Sequence, residues 1–186
     1  MSGIAADLAG LTARSRKAAA VLATRPTAVK DAALRALADA IESGVEAILA
    51  GNAQDVEDAA ARGTAPALLD RLRLTPSRVN GMARAARMVA DLPDPVGAIS
   101  GMSRRPNGML VGRMRVPIGV ILVIYEARPS VTTDAAALCL KAGNAVILRG
   151  GSEARHTLTA LSRIVAEVPA LPEGAIEILR GADHDA

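Results

Sequence analysis

The stretch VPIGVILVIYEARPSVTTDAAALCLKAGNAVILRGGSE, residues 116–153, decides how this chain is read. It predicts two parallel strands joined by one crossover helix. Ile118 to Ile124 is a nearly unbroken β-branched and aliphatic run, the pattern of a strand covered on both faces. Tyr125 to Ser130 turns the chain, and Pro129 keeps its predecessor Arg128 out of helical geometry. Val131 to Ala142 can be helical, and Gly143-Asn144 closes it as a C-cap. Ala145 to Leu148 is a second short apolar strand, after which Arg149-Gly150-Gly151-Ser152-Glu153 turns into another helix. The connection is long enough for a parallel crossover, which is right-handed in nearly all sheets. Both polar turns leave the carboxyl ends of neighbouring strands, the edge where open α/β sheets bind ligands.

Composition narrows the classes around this unit. Hydrophobic residues make up 51% of 186, yet Phe and Trp are absent and Tyr125 is the sole aromatic. The core must therefore be close-packed Ala, Val, Leu and Ile. A net charge of +3 is spread over arginines in every segment. With no aromatic set for bases to stack on, this argues against a nucleic-acid partner. The single cysteine, Cys139, permits no internal disulfide and fits a reducing, cytoplasmic setting. No signal peptide is apparent, and no apolar run is long enough to span a membrane. No His, Cys or carboxylate cluster has metal spacing, so no metal is expected.

On the amino-terminal side, Ile4, Leu8, Leu11, Ala18 and Leu22 recur at helical spacing, with Arg14, Arg16 and Lys17 off the stripe. Arg25-Pro26 breaks this helix and Thr27 opens a second. Leu34, Leu37, Ile41, Val45 and Ile48 form its apolar face, and Gly51-Asn52 ends it. A shorter helix is expected from Ala53 to Ala61, stopping at Gly63. Another begins around Pro76-Ser77, carries Val79, Met82, Ala86 and Val89, and ends at Asp91–Pro95. Asn107-Gly108 signals a turn, and Met109 to Arg115 alternates as a half-exposed strand does. Such a strand needs a partner, which could lie in another subunit. Ser152 is expected to cap a helix running through Val168. Ala175 to Leu179 is expected to be a third parallel strand whose outer edge is unpaired. The fold class is thus α/β, a helical amino-terminal half followed by an incomplete, parallel Rossmann-like sheet. Residues 1–100 are mainly helical, 103–117 form a strand arm and 118–181 supply the βαβ units.

Four motifs make the chain recognisable: YEARP (125–129), DAAALCLKAGNAVILRGGSEA (134–154), RLRLTPSR (71–78) and LPDPVG (92–97). Through them it resembles the gamma-glutamyl phosphate reductases of the aldehyde dehydrogenase superfamily. The resemblance runs across essentially the whole chain but covers only the amino-terminal part of such an enzyme. It implies a superfamily cofactor domain that uses NADP(H), and a homo-oligomer in the family's complete form. It also implies reduction of L-glutamate 5-phosphate to L-glutamate 5-semialdehyde and phosphate, on the route to L-proline. The family's nucleophilic cysteine belongs to a catalytic domain that follows the cofactor domain and is absent from this sequence. Cys139 stands elsewhere, among Ala137, Leu138 and Leu140, and reads as a small buried hydrophobe. The chain alone is therefore expected to be inactive. The alternative is an inactive fragment that binds nucleotide, or that joins a full-length subunit through Met109–Arg115.

Residue by residue, the superfamily strand-end motif that holds the adenosine ribose corresponds to Leu148–Glu153. This makes Arg149, Gly150, Gly151, Ser152 and Glu153 the cofactor-binding candidates. Arg149 replaces a lysine common in the superfamily, and its guanidinium could hold a ribose 2′-phosphate bidentately, favouring NADP. Glu153 could accept from a ribose hydroxyl but would repel that phosphate, so Arg149 ranks first. A purely structural account also exists: Gly150-Gly151 at positive φ and Ser152 as a helix cap. The substrate-entrance candidates are Tyr125, Glu126, Ala127, Arg128 and Pro129. Many aldehyde dehydrogenases place an oxyanion-binding asparagine in this turn. Ala127 stands here instead, so that donor must be another group or a backbone N–H. Glu126 and Arg128 either position an acidic substrate or serve as scaffold. Ser130 occupies a position where the family often has asparagine. Asp134 reads as a first-turn helix charge, His156 as a surface residue, and His184 and Asp185 as terminal residues.

Overall fold

The computed structural model describes the backbone of residues 2–126, 128–169 and 171–179, with side chains from Leu8 onward. Five helices come first: α1 (Ser2–Leu22), α2 (Thr27–Ser43), α3 (Val45–Ala61), α4 (Pro66–Leu72) and α5 (Pro76–Asp91). A hairpin follows, made of β1 (Ile99–Arg104) and β2 (Leu110–Met114). The last part is β3 (Val120–Ile124), α6 (Pro129–Lys141), β4 (Ala145–Arg149), α7 (Arg155–Ala166) and β5 (Ile176–Leu179). Strands β3, β4 and β5 form one parallel sheet in that order. The architecture is the α/β arrangement expected from residues 116–153. Helix α1 packs across all three strands, α6 against β4, and α7 against β5.

The crossover is built from strong local signals. Arg128, ahead of Pro129, is extended at φ −129°, as the proline requires. At the other end Gly143 adopts φ 74°. The Asn144 N–H reaches the Cys139 carbonyl and the Gly143 N–H the Leu140 carbonyl, a Schellman motif. The Asn144 side chain then accepts from the N–H groups of Ile118 and Gly119, at 2.6 and 2.8 Å. One residue thus ends α6, starts β4 and anchors the approach to β3.

Burial along the sheet departs from the pattern read in the sequence. Ala145 to Leu148 of β4 is buried throughout, but Leu122 and Ile124 of β3 are 55% and 63% exposed. The strand expected to be covered on both faces is an edge strand among the described residues. An aliphatic run shows that a strand forms, whereas cover depends on which elements lie beside it.

The helical half also differs in its divisions. The helix expected from Thr27 to Gly51 is two helices that break at Gly44. A Cβ on Gly44 would lie 2.4 Å from Ile164 Cδ1, so the glycine admits α7 at the break. Gly51 and Asn52 sit inside α3 rather than ending a helix. Helix α4, with Pro66 at its start, was not anticipated. Thr75 caps α5, accepting from the Arg78 N–H ahead of Pro76 in the first turn, a favoured start. In α1, Ala18 and Leu22 are buried while Leu8 is 45% exposed; the Ile4 side chain lies outside the described residues. The strand at Met109–Arg115 finds its partner in the same chain, since β2 pairs antiparallel with β1.

Two buried lysines tie the helices together. Lys141 in α6 donates to Asp31 of α2 and to the Ala90 carbonyl of α5. Lys30, beside Asp31, pairs with Asp94 just beyond α5. Removing one partner of such a pair leaves the other charge buried without compensation. Lys141→Ala should therefore lower unfolding free energy by roughly 3–5 kcal/mol in a urea titration; an unchanged midpoint would contradict this role. Burial alone would raise the Asp94 carboxyl, but bonds from Lys30, Thr27 and the Val96 N–H outweigh it and hold it below its ordinary value. A depressed carboxylate stabilises the fold above the unfolded-state value of about 3.9 and loses that contribution as pH falls through the lower folded value. Asp94→Asn should flatten the acid limb of a stability–pH curve measured by denaturant titration.

Candidate functional site

The carboxyl edge of the sheet carries both predicted turns, and a backbone bond joins them. The Tyr125 N–H donates to the Arg149 carbonyl at 3.0 Å, extending the β3–β4 ladder by one residue. Tyr125 turns inward: its hydroxyl lies 2.6 Å from Thr132 Oγ1, and desolvation by burial raises its phenol above the ordinary value, opposed by the Thr132 bond. It packs on Gly150, where a Cβ would lie 3.2 Å from the ring and 2.6 Å from Leu158 Cδ1. Tyr125 therefore shapes the turn rather than facing outward with Glu126 and Arg128, which are exposed. Ala127 lies outside the described residues, as do His184 and Asp185.

The turn after β4 is built differently from its structural account in the sequence. Neither Gly150 nor Gly151 has positive φ; Gly151 sits at φ −64° and ψ 153°. Gly150 is required by close packing instead. Ser152 begins a short 3-10 turn, Ser152–Ala154, and makes no side-chain cap bond. The cap of α7 comes from a helix a hundred residues earlier. Asp55 of α3 accepts from the His156 and Thr157 N–H groups at 2.9 and 2.8 Å, and from the Thr157 hydroxyl. Asn52 donates to Thr157 Oγ1 and the Leu72 carbonyl, and accepts from the Leu74 N–H. Every polar atom of this junction is used, which leaves Arg149 and Ser152 exposed and Glu153 half-buried on the turn's outer side. His156, in the first turn of α7, has Nε2 3.6 Å from Asp58 Oδ2.

A cleft of about 410 Å³ opens beside the first turn, between α4, α5 and the start of α6. Arg71, Arg73, Arg78, Arg128, Asp70 and Asp134 supply its charges, and Leu74, Met82, Ala85 and Pro129 its apolar wall. Arg78 is engaged: it donates to the Asp70 and Arg73 carbonyls, both at 2.6 Å, and to the Asp70 carboxylate. Among the described residues, no ion pair involves Arg71, Arg73, Arg128 or Asp134. Desolvation raises the Asp134 carboxyl above its ordinary value. Asp134 is the sixth residue of α6, which starts at Pro129, so it is not a first-turn charge. Of the entrance candidates, Arg128 and Pro129 line the cleft while Tyr125 and Glu126 do not. Cys139 is 8% exposed, and burial pushes its thiol above the ordinary value, the opposite of what an activated nucleophile needs.

The sequence assigns Arg71 and Arg73 no role and Asp134 only a helix charge, yet all three line the cleft. The density of arginine in RLRLTPSR was a signal. Only folding shows that three of the scattered cations meet the YEARP turn.

The chain belongs to the aldehyde dehydrogenase family, whose model matches residues 2–186. Within that family it is similar to gamma-glutamyl phosphate reductases. It is 52% identical over 176 residues to the one from Moorella thermoacetica, covering 93% of this chain and 42% of that relative. It is 50% identical over 186 residues to the one from Solidesulfovibrio magneticus, covering 98% and 44%. The crystal structure of gamma-glutamyl phosphate reductase from Thermotoga maritima superposes with a TM-score of 0.86 at 36% identity, covering 95% of this chain and 43% of that one. The chain spans less than half the length of these relatives.

The α3–α7 junction makes a prediction whose sign is informative. In an exposed helix interior, Gly→Ala stabilises by roughly 1 kcal/mol. A Cβ on Gly51 would lie 2.8 Å from the His156 carbonyl oxygen, where backbone must move. Gly51→Ala should instead destabilise by about 1–3 kcal/mol, read as a lower denaturation midpoint; a raised midpoint would show that the two helices separate freely.

Proposed function

We propose that this chain is the cofactor-binding part of an NADPH-dependent oxidoreductase that converts L-glutamate 5-phosphate to L-glutamate 5-semialdehyde and phosphate in L-proline biosynthesis. The observation that carries the reading is identity near 50%, over nearly the whole chain, with gamma-glutamyl phosphate reductases. In this reading a cysteine thiolate attacks the acyl phosphate, phosphate leaves, and hydride from NADPH reduces the thioester and releases the thiolate. Cys139, buried within α6, does not fit the nucleophile's part. Residues 118–181 orient the cofactor. Arg149, exposed at the carboxyl end of β4, would face the ribose 2′-phosphate, with Gly150, Gly151, Ser152 and Glu153 shaping the turn beneath the ribose. Arg128 and Pro129 contribute to the substrate entrance. The setting in this reading is the cytoplasm.

A second part of the reading concerns residues 103–117. Hairpin residues Met102, Met109, Leu110 and Met114 are each more than half exposed. Such an apolar arm suits association with another copy or with a full-length subunit. If the chain acts without turnover, nucleotide binding and this association are its functions.

The tests use the 186-residue chain. It should bind NADPH saturably and more tightly than NADH, and Arg149→Ala should weaken NADPH about tenfold or more while leaving NADH nearly unchanged, since one charge-assisted contact of roughly 1.5–3 kcal/mol is lost. Equal binding of the two nucleotides, or indifference to the substitution, would remove Arg149 from this role. Given NADP⁺, phosphate and glutamate semialdehyde, the chain should form no NADPH. A sustained rate would show that it supplies a nucleophile of its own.

A further inference from the structure

We propose that Asp55 is a positioning residue for nucleotide binding: from α3 it fixes the downstream end of the turn after β4, and so holds Glu153 where a ribose hydroxyl donates to it. The inference rests on the cofactor reading above and gives a part in it to a residue buried in the helical half. The two ends of the turn are held by different means. Upstream, Arg149 stands in the ladder between Ile124 and Leu179, and its carbonyl accepts the Tyr125 N–H at 3.0 Å. Downstream, the Ala154 N–H reaches the Gly151 carbonyl at 3.2 Å and the Arg155 N–H reaches the Ser152 carbonyl. Ala154, the residue before α7, makes no side-chain cap bond. Asp55, 1% exposed, supplies the cap through the His156 and Thr157 N–H groups and the Thr157 hydroxyl. Helix α3 also packs against Ser152–Ala154, where Ala154 is buried.

This arrangement divides the work of the turn. A helix start ordinarily attracts an anion through its free N–H groups and its dipole. Here the Asp55 carboxylate already fills that place, so the start of α7 offers little to a nucleotide phosphate. Contacts at the turn fall to side chains, Arg149 at one end and Glu153 at the other. Arg149 is fixed by the ladder and answers the 2′-phosphate that NADPH has and NADH lacks. Glu153 makes no ion pair and no side-chain hydrogen bond among the described residues, so the backbone of the turn sets its place. NADH presents two hydroxyls on its adenosine ribose, whereas NADPH presents one hydroxyl and a phosphate that a carboxylate repels. Asp55 therefore governs affinity for the plain ribose, and Arg149 governs preference for the phosphorylated one. Asp55 does this without touching the nucleotide.

The test titrates NADH and NADPH into the 186-residue chain and its variants, each held below its own thermal midpoint. Glu153→Ala and Asp55→Asn should each weaken NADH about tenfold and NADPH less, because a ribose bond to a charged acceptor is lost. Together the two should weaken NADH no more than either alone, since one acts through the other. Combined with Arg149→Ala, the effect of Asp55→Asn should simply add. Lys141→Ala, remote from the turn, should lower the midpoint and leave both affinities unchanged. Amide hydrogen exchange on the free chain gives a readout independent of nucleotide. Asp55→Asn should speed exchange at Ala154 and Arg155 about tenfold or more while β4 keeps its rates. Should Asp55→Asn fail to fold, Thr157→Val removes one of the three donors to Asp55 and should shift both readouts in the same direction. Unchanged NADH affinity, additive losses with Glu153→Ala, or an equal loss in Lys141→Ala would overturn the proposal while leaving the cofactor reading intact. Absence of nucleotide binding by the unsubstituted chain would overturn the cofactor reading and the ribose contact with it. The exchange rates would then decide alone whether Asp55 orders the turn.

Discussion

The structure turns on the Asp55 carboxylate and its neighbour Asn52, which hold the start of α7 from inside α3. A helix start leaves N–H donors that must find acceptors, and in most helices the cap is local. Here Ser152, adjacent in sequence, makes no cap, and the acceptor arrives from about a hundred residues away. This frees the turn after β4 from capping duty and leaves its polar side chains outward. It also explains a glycine inside α3. The α7 backbone approaches so closely at Gly51 that no side chain fits. One polar junction thus couples the helical half to the carboxyl edge of the sheet.

A second set of constraints brings the cleft together. Lys141 and Lys30 draw α2, α5 and the end of α6 into one buried arrangement. Arg78 holds the carbonyls at the end of α4 against the start of α5. The start of α6 is set by Pro129 and by the Tyr125 hydroxyl bonded to Thr132. Arginines from α4 and its following turn therefore stand opposite Arg128 and Asp134. Among the described residues, Arg71, Arg73 and Arg128 are in no ion pair.

Sequence logic was sound where the determinants are local. The Pro129 boundary, the Gly143 cap, the Asn107-Gly108 turn and the parallel crossover follow from backbone restrictions acting within a few residues. It failed where a residue's meaning depends on a distant partner. Gly51-Asn52 has the form of a helix stop, yet both residues serve contacts with α7 and the turn after α4. Gly150-Gly151 has the form of a positive-φ turn, yet Gly150 is demanded by the Tyr125 ring and Leu158. The Met109–Arg115 alternation called for a partner that could lie in another subunit, and the partner is β1 of the same chain, a few residues upstream across a bulged hairpin.

By itself the sequence determined the fold class, the crossover unit, the turns at the carboxyl ends of β3 and β4 and, through YEARP and LRGGSEA, the family. These rest on periodicity, proline and glycine geometry, and motifs contiguous along the chain. Only the tertiary structure decided that β3 stands at the sheet edge among the described residues, that Tyr125 points inward, that α7 is capped by α3, and that Arg71, Arg73, Arg128 and Asp134 share one cleft. The reason is physical: burial and charge convergence are set by which surfaces meet. In a chain with arginines in every segment, local spacing carries no information about which of them will face each other.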